Sequence, residues 1–526
     1  MKFEIKVTEF AKEIVENMGL EELINQVVCA HSMPGDYDSL GYYGAMFFHP
    51  AEKKELEEKI KIVKDKSKIP PFIVGDIENG PGTVIKGSTI FPYMLACSSA
   101  DDENLAYEMG KAAALESVEL GFNWTLSPCV DIIGKIESPM VSIRSAGRSA
   151  EQVIKITKAY MKGLQDNGLM ATLKHFPGEG FDIFDQHLTI SQNSLKKEEW
   201  DEKSGKVFKD LIDAGVMAVM PGHIAFPDYD EKDEFFNLYP PATLSKKILN
   251  KLLKEELGFK GLIISDAINM SGMSGYMNYY KAAAAFLEYG GDMILFPRLN
   301  QAFYDEFKRL IDSGFLKIET LKNRAEKIVS LKNMLGFFND ELKDNINFNK
   351  NKHEEISRKI VDNSVSIVRD RANIIPFKIN KNTRILHLIL TNNYSNEEEL
   401  YVSFTKVMQK YSDNVTELIN PGHGNSFFDR IYNKEFDLII CSIGNKPAFG
   451  TNVIRLHGNV SRSMMQGWMR LGTPVIYVAH FHPFVHFEYD VLMDTVINTY
   501  GSIEYTLERV MKGITGEQPL KKEFIK

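Results

Sequence analysis

Cysteine is scarce in this 526-residue chain and tryptophan scarcer still, with four of the first and three of the second. Cys29, Cys97, Cys129 and Cys441 are scattered, show no C-x-x-C spacing and sit in mostly apolar surroundings. That pattern argues against a zinc ribbon or a redox dithiol and fits reduced, buried thiols. No run of about 18 uninterrupted apolar residues occurs, so no membrane span is expected. The first twenty residues, MKFEIKVTEFAKEIVENMGL, alternate charged and apolar side chains and lack the apolar core of a secretory leader, so a cytoplasmic protein is expected. An excess of positive charge is also missing. With 62 Lys and Arg against 71 Asp and Glu, the net charge of -9 gives no global attraction for phosphate backbones or anionic lipid, and neither nucleic acid nor membrane is an expected partner. What remains, 44% hydrophobic and 25% charged residues with 37 glycines, is the composition of a globular protein.

The length implies about two to four domains. Short apolar runs recur with helical stretches between them: PPFIVGD, FNWTLSP, MATLKH, VMAVMP, GLIISD and DMILFP. This strand and helix alternation predicts βα units on a parallel sheet or barrel. Five runs end in chemically distinctive residues, namely Asp76, Pro128, Lys174-His175, Pro221-Gly222-His223 and Ser265-Asp266. A closed ring of the TIM type would bring those ends to one face, which favours an N-terminal (β/α)8 barrel over an open doubly wound sheet. The expected barrel domain covers 1–338. The polar segment DELKDNINFNKNKHEE marks a linker at 339–352. Beyond it TRILHLIL, FDLIICSIG and TPVIYVAH read as strands of a smaller three-layer α/β sandwich over 353–526.

Two segments carry the chemistry. Thr172 to Gly180, TLKHFPGEG, is followed by Asp182, Asp185 and His187 in a loop leaving a strand. An imidazole hydrogen-bonded to a carboxylate keeps one tautomer and serves as a proton donor near neutral pH, and the two-residue spacing is feasible in a loop though not on a helix face. A plain turn contact is the alternative. In GLIISDA an apolar strand runs directly into Asp266, a partly desolvated position suited to a carboxylate nucleophile; a helix N-cap is the alternative there.

Taken together, these segments resemble glycoside hydrolase family 3, and within it the β-N-acetylglucosaminidase branch. Lys174-His175-Phe176-Pro177-Gly178 matches the family's K-H-F-P-G, Asp185-Gln186-His187 matches the D-S-H of this branch, and Ile264-Ser265-Asp266 with Met270 resembles its S-D-x-x-x-M. Gly87 to Pro92, Gly121-Phe122-Asn123 with Pro128 and Asp131, and Ile143-Arg144-Ser145 look like further elements, and the likeness spans roughly residues 20 to 340.

The resemblance implies a retaining two-step hydrolysis of terminal β-linked N-acetylglucosamine-type sugars. Asp266 would be the nucleophile, His187 the acid and then the base, and Asp185 its orienting partner. Asp76, Arg144, Lys174 and His175 would hold the sugar unless they form a structural ion-pair network, and His223 is either substrate-facing or structural. The substrate is a small carbohydrate; neither metal nor cofactor is implied, and the sequence leaves oligomeric state open. Glu179 stands where the family has His after K-H-F-P-G, and an Arg usual after the Asp76 element is absent, with Lys86 the nearest cation. These departures bear on which sugar is gripped. A phosphorylase or transglycosylase on the same sugars is the alternative activity, since a neutral imidazole does not repel an anionic acceptor. A non-catalytic sugar binder would not need all three reactive residues. A Schiff-base lyase using Lys174 would leave Asp266 and the Asp185/His187 pair unexplained.

Overall fold

The computed structural model describes residues 2–31, 42–234, 237–339, 346–447, 449–450 and 454–522. The chain folds into two compact units: Met1–Ile90 with Ala106–Lys135 and Arg148–His353, and Phe91–Leu105 with Ile136–Gly147 and Glu354–Lys526.

In the first unit the apolar runs become short, buried strands: β1 (Val28–His31), β2 (Ala45–Phe47), β3 (Phe72–Gly75), β4 (Trp124–Thr125), β5 (Thr172–Phe176), β6 (Ala218–Pro221), β7 (Leu262–Ile263) and β8 (Ile294–Leu295). All pair in parallel, in the orders β8-β1-β2-β3-β4 and β5-β6-β7. Single parallel bridges, Trp124 to Met170 and Ile264 to Met293, join β4 to a residue two before β5 and the residue after β7 to the one before β8. The result is a curled parallel sheet. Six strands coincide with the runs named from the sequence; β1 and β2 carry no comparable punctuation and were not among them.

Helices cover the outside because their apolar residues recur at helical spacing. In the helix Ala150–Gln165, Val153, Ile156, Thr157, Tyr160, Met161 and Leu164 are buried, and Ser149 caps its start by accepting the Gln152 N–H at 3.2 Å. Trp124 ties β4 to β5, its Nε1–H donating to the Thr172 hydroxyl at 2.7 Å. Thr89 of the Gly87 to Pro92 segment gives both its N–H and its hydroxyl to Glu116 on the helix Glu103–Leu120, and His353 Nδ1 lies 2.7 Å from the same carboxylate.

The second unit is built on seven strands: β9 (Ser366–Asp370), β10 (Arg384–Leu390), β11 (Asn414–Ile419), β12 (Leu438–Ile443), β13 (Val475–Ala479), β14 (Thr495–Asn498) and β15 (Lys521–Lys522), in the order β11-β10-β12-β13-β14-β9-β15. Only the β9 and β14 pair is antiparallel. Buried clusters lie on both faces, one around Phe427, Trp468 and Tyr477, the other around Phe404, Val407 and Val510. Of the expected linker 339–352, residues 340–345 lie outside the described residues, and the helix Lys350–Ser364 begins before its end.

Candidate active site

The ends of β3, β5, β6 and β7 supply the reactive groups of the first unit. After β3, Ile77 is held by both backbone groups: its N–H donates to the Thr125 hydroxyl at 3.1 Å, and its carbonyl accepts from the Ser127 and Tyr160 hydroxyls at 3.1 and 3.0 Å. Asp76 and Glu78 are thereby set on either side of a fixed peptide. Lys174 on β5 reaches both, with Nζ 2.9 Å from Asp76 Oδ1 and 2.6 Å from Glu78 Oε1. The lysine is buried while the Asp76 side chain stays 46% exposed.

The next residue faces another way. His175 donates its backbone N–H to Asp131, and its Nδ1 lies 2.8 Å from Asp131 Oδ2; Glu179 N–H and the Cys129 thiol donate to the same carboxylate. Burial, the largest influence on Asp131, pushes its pKa up, but the His175 charge and these donors bring it below the usual carboxylate range. An ionised carboxylate only accepts, so His175 donates its Nδ1–H to Asp131, and its Nε2 lies 4.0 Å from Asp266 Oδ2. Cys129, Asp131 and His175 converge within 4.8 Å, as metal ligands would. The thiol and the imidazole share Asp131 Oδ2 directly.

Asp266 follows β7 with its N–H bonded to the Pro221 carbonyl at 3.2 Å and its Oδ1 accepting the Ala267 N–H at 2.8 Å. It caps no helix; the next one, Ser271–Ser274, has Met270 at its N-cap. Burial is again the largest influence and raises its pKa, yet the charges of His175, His223 and His187, with the Ala267 N–H, hold it below the usual carboxylate range. An ionised, nearly buried carboxylate is the state a nucleophile requires.

His187 Nδ1 lies 2.7 Å from Asp185 Oδ1, and the same oxygen accepts the His187 N–H at 2.9 Å. Asp185 is fully buried, whereas the His187 side chain is 29% exposed. The loop is tied to both neighbouring strand ends. Gln186, itself buried, accepts the His223 N–H at 2.8 Å and donates to Glu179 at 3.2 Å, while the His187 carbonyl accepts the Ser271 N–H at 3.1 Å. Two glycines permit this approach. A Cβ on Gly222 would stand 2.8 Å from Gln186 Oε1, and one on Gly272 would stand 2.3 Å from the Gln186 carbonyl. Asp182 gathers the base of the loop, accepting from the Phe184 N–H at 3.0 Å and from the Gln192 N–H.

His223 is buried, with Nε2 3.0 Å from the Ala267 carbonyl and Nδ1 3.0 Å from the Thr243 hydroxyl. Nε2 thus serves the Asp266 segment and Nδ1 the turn that carries Thr243. Arg144 belongs to the second unit, where Nη1 donates to the Met140 carbonyl at 3.0 Å. The residues that sequence reasoning passed over are Glu78, which shares Lys174; Asp131, quoted only as part of a motif; and Gln186, whose partners come from other loops.

This geometry has relatives. Over 97% of the chain and 94% of its partner, the sequence is 25% identical to a β-N-acetylglucosaminidase/β-glucosidase of Cellulomonas fimi; over 47% of the chain and 70% of the relative, it is 30% identical to a β-hexosaminidase of Methylobacillus flagellatus. Among solved structures, β-glucoside phosphorylase BglX bound to 2FGlc superposes with a TM-score of 0.88 at 26% identity, covering 97% of this chain and 95% of that one. A family 3 β-N-acetylglucosaminidase from Paenibacillus sp. str. FPU-7 shares the fold, with a TM-score of 0.81 at 21% identity over 96% of this chain and 98% of that one. Residues 15–331, more than half of the chain, match the model of the glycosyl hydrolase family 3 N-terminal domain. The chain therefore belongs to glycoside hydrolase family 3, a family of glycosidases.

Proposed function

We propose that the protein is a retaining β-N-acetylhexosaminidase that releases terminal β-linked N-acetylglucosamine-type sugars. Asp266 attacks the anomeric carbon as His187 gives its proton to the departing oxygen; His187, now neutral, then takes a proton from the water that opens the glycosyl ester. Asp185 holds Nδ1–H and stabilises the imidazolium, leaving Nε2 as the working nitrogen. Asp76, Lys174 and His175 grip the sugar, and His223 steadies the backbone beneath Asp266. The observation that carries this reading is the 2.7 Å Asp185 and His187 pair on a loop bonded to the segment that follows Asp266.

The eight parallel strands and their two linking bridges support a (β/α)8 barrel over 1–338, and the sheet with cores on both faces supports a three-layer sandwich over 353–526. Mass spectrometry after reaction with an activated fluorinated glycoside, whose fluorine slows breakdown of the intermediate, tests the mechanism. The label should sit on the peptide carrying Asp266, and label elsewhere sinks the assignment. Phosphorolysis is the second reading, favoured by the likeness to the β-glucoside phosphorylase. Phosphate-dependent release of a sugar 1-phosphate in place of free sugar would establish it.

A further inference from the structure

The loop bearing Asp185 and His187 has an apolar flank that proton transfer does not call for. Phe184 and Leu188 bracket the pair and stay 51% and 49% exposed, and Leu238, on the segment after β6, is 49% exposed. With Ile190 and Tyr239 these side chains form the apolar wall of a cavity of about 750 Å³ whose remaining lining includes Thr189, Gln192, Asn237, Ser271 and Ser274. Half-exposed large hydrophobics gathered on one wall mark a binding surface, and the volume is that of a small-molecule cleft. Among the described lining residues one side chain is charged, Lys232, and its Nζ lies 5.5 Å from the centroid of the Tyr239 ring.

We infer that this cavity is the aglycone subsite and takes an apolar aglycone, an aryl or alkyl group. The inference rests on His187 as proton donor. The oxygen that receives its proton carries the aglycone, so that group leaves past the residues next to His187. Those residues are Phe184 and Leu188. Ser271, whose N–H holds the His187 carbonyl, stands in the same wall. A ring or chain of CH₂ groups at this place removes the apolar wall from water.

The test is a series of 4-alkylphenyl N-acetyl-β-glucosaminides from unsubstituted to butyl. The alkyl chain barely alters phenol acidity, so a change in kcat/KM along the series reports contact and not ease of protonation. The expected rise is roughly threefold per CH₂, near the value for burial of one methylene. Phe184→Ser and Leu188→Ser should each cut that slope by half or more. Calorimetric binding of the same glycosides to Asp266→Ala reads the slope without turnover, so a failed reaction assignment and a failed subsite are told apart. A slope near zero in the wild type, or one unchanged in both variants, overturns the inference. So does dissociation of a dimer in Leu188→Ser with the slope intact, which would make the wall a self-association surface.

Discussion

One oxygen of Asp185 holds both the ring and the backbone N–H of His187, so the imidazole is fixed in tautomer and direction before any ligand arrives. Its contribution should be visible in leaving-group dependence. His187→Ala is expected to lower kcat/KM about 100- to 10,000-fold for alkyl glycosides while sparing nitrophenyl glycosides, which leave without protonation. Equal losses on both would remove His187 from the acid role. Asp266→Ala should abolish turnover of both.

Asp182, at the base of the same loop, is pushed up to about 6, chiefly by burial and against its two N–H donors. The folded protein therefore keeps this proton from about pH 4, where the unfolded chain releases it, up to about pH 6. Its contribution makes stability fall as pH rises through that window and level off above it. In thermal melts, the stability of the wild type relative to Asp182→Asn should decline between pH 4 and 6, and a flat difference would contradict the assignment.

At the scale of elements, the dyad loop is positioned by Gln186. Its amide oxygen takes the His223 N–H from the end of β6, and its NH₂ reaches Glu179 from the loop after β5. Gln186→Leu leaves a buried N–H and a buried carboxylate short of one bond each, costing about 1–3 kcal/mol per group. kcat on unactivated substrates should fall further than stability alone explains. Exchanging the pair, as Glu179→Gln with Gln186→Glu, keeps a donor facing a carboxylate and an acceptor facing His223. The double variant should recover stability and rate above either single change, and a strictly additive double mutant would show that the two side chains do not act together. Glu179 reads in the sequence only as a departure from a family His; its partner is found seven residues on, through the fold.

Across the first unit, one buried charge helps join β7 to β8. Asp292 accepts the Ile263 N–H at 2.8 Å and lies 2.6 Å from Lys327 and 3.6 Å from Arg324 on the helix Ile318–Met334. Burial raises its pKa most, but Lys327, Arg324 and Lys254 together bring it below the usual range. A depressed carboxylate stabilises fully above its unfolded value near 4, and that stability is lost as pH falls through the folded value. Asp292→Asn should therefore cost on the order of 3 kcal/mol in urea denaturation at pH 7. The difference from the wild type should shrink at acid pH; a constant difference would count against the ion pairs as its cause. No helix among the described residues is long and apolar enough to cross a membrane.

The succession of βα units and the reactive types at strand ends were legible in the chain alone, because strand periodicity and punctuation are local properties. So were the place of Asp266 after a strand and the closeness of Asp185 to His187, which contiguous residues set. Which ring turns toward Asp266 and which supports the backbone was decided only in three dimensions. His175 and His223 both end strands, yet Asp131 leaves one Nε2 pointing at Asp266 while Ala267 and Thr243 occupy both nitrogens of the other. Those partners lie between 20 and 44 residues away in sequence. Hydrogen-bond satisfaction at such separations is a property of packing, and no local pattern encodes it.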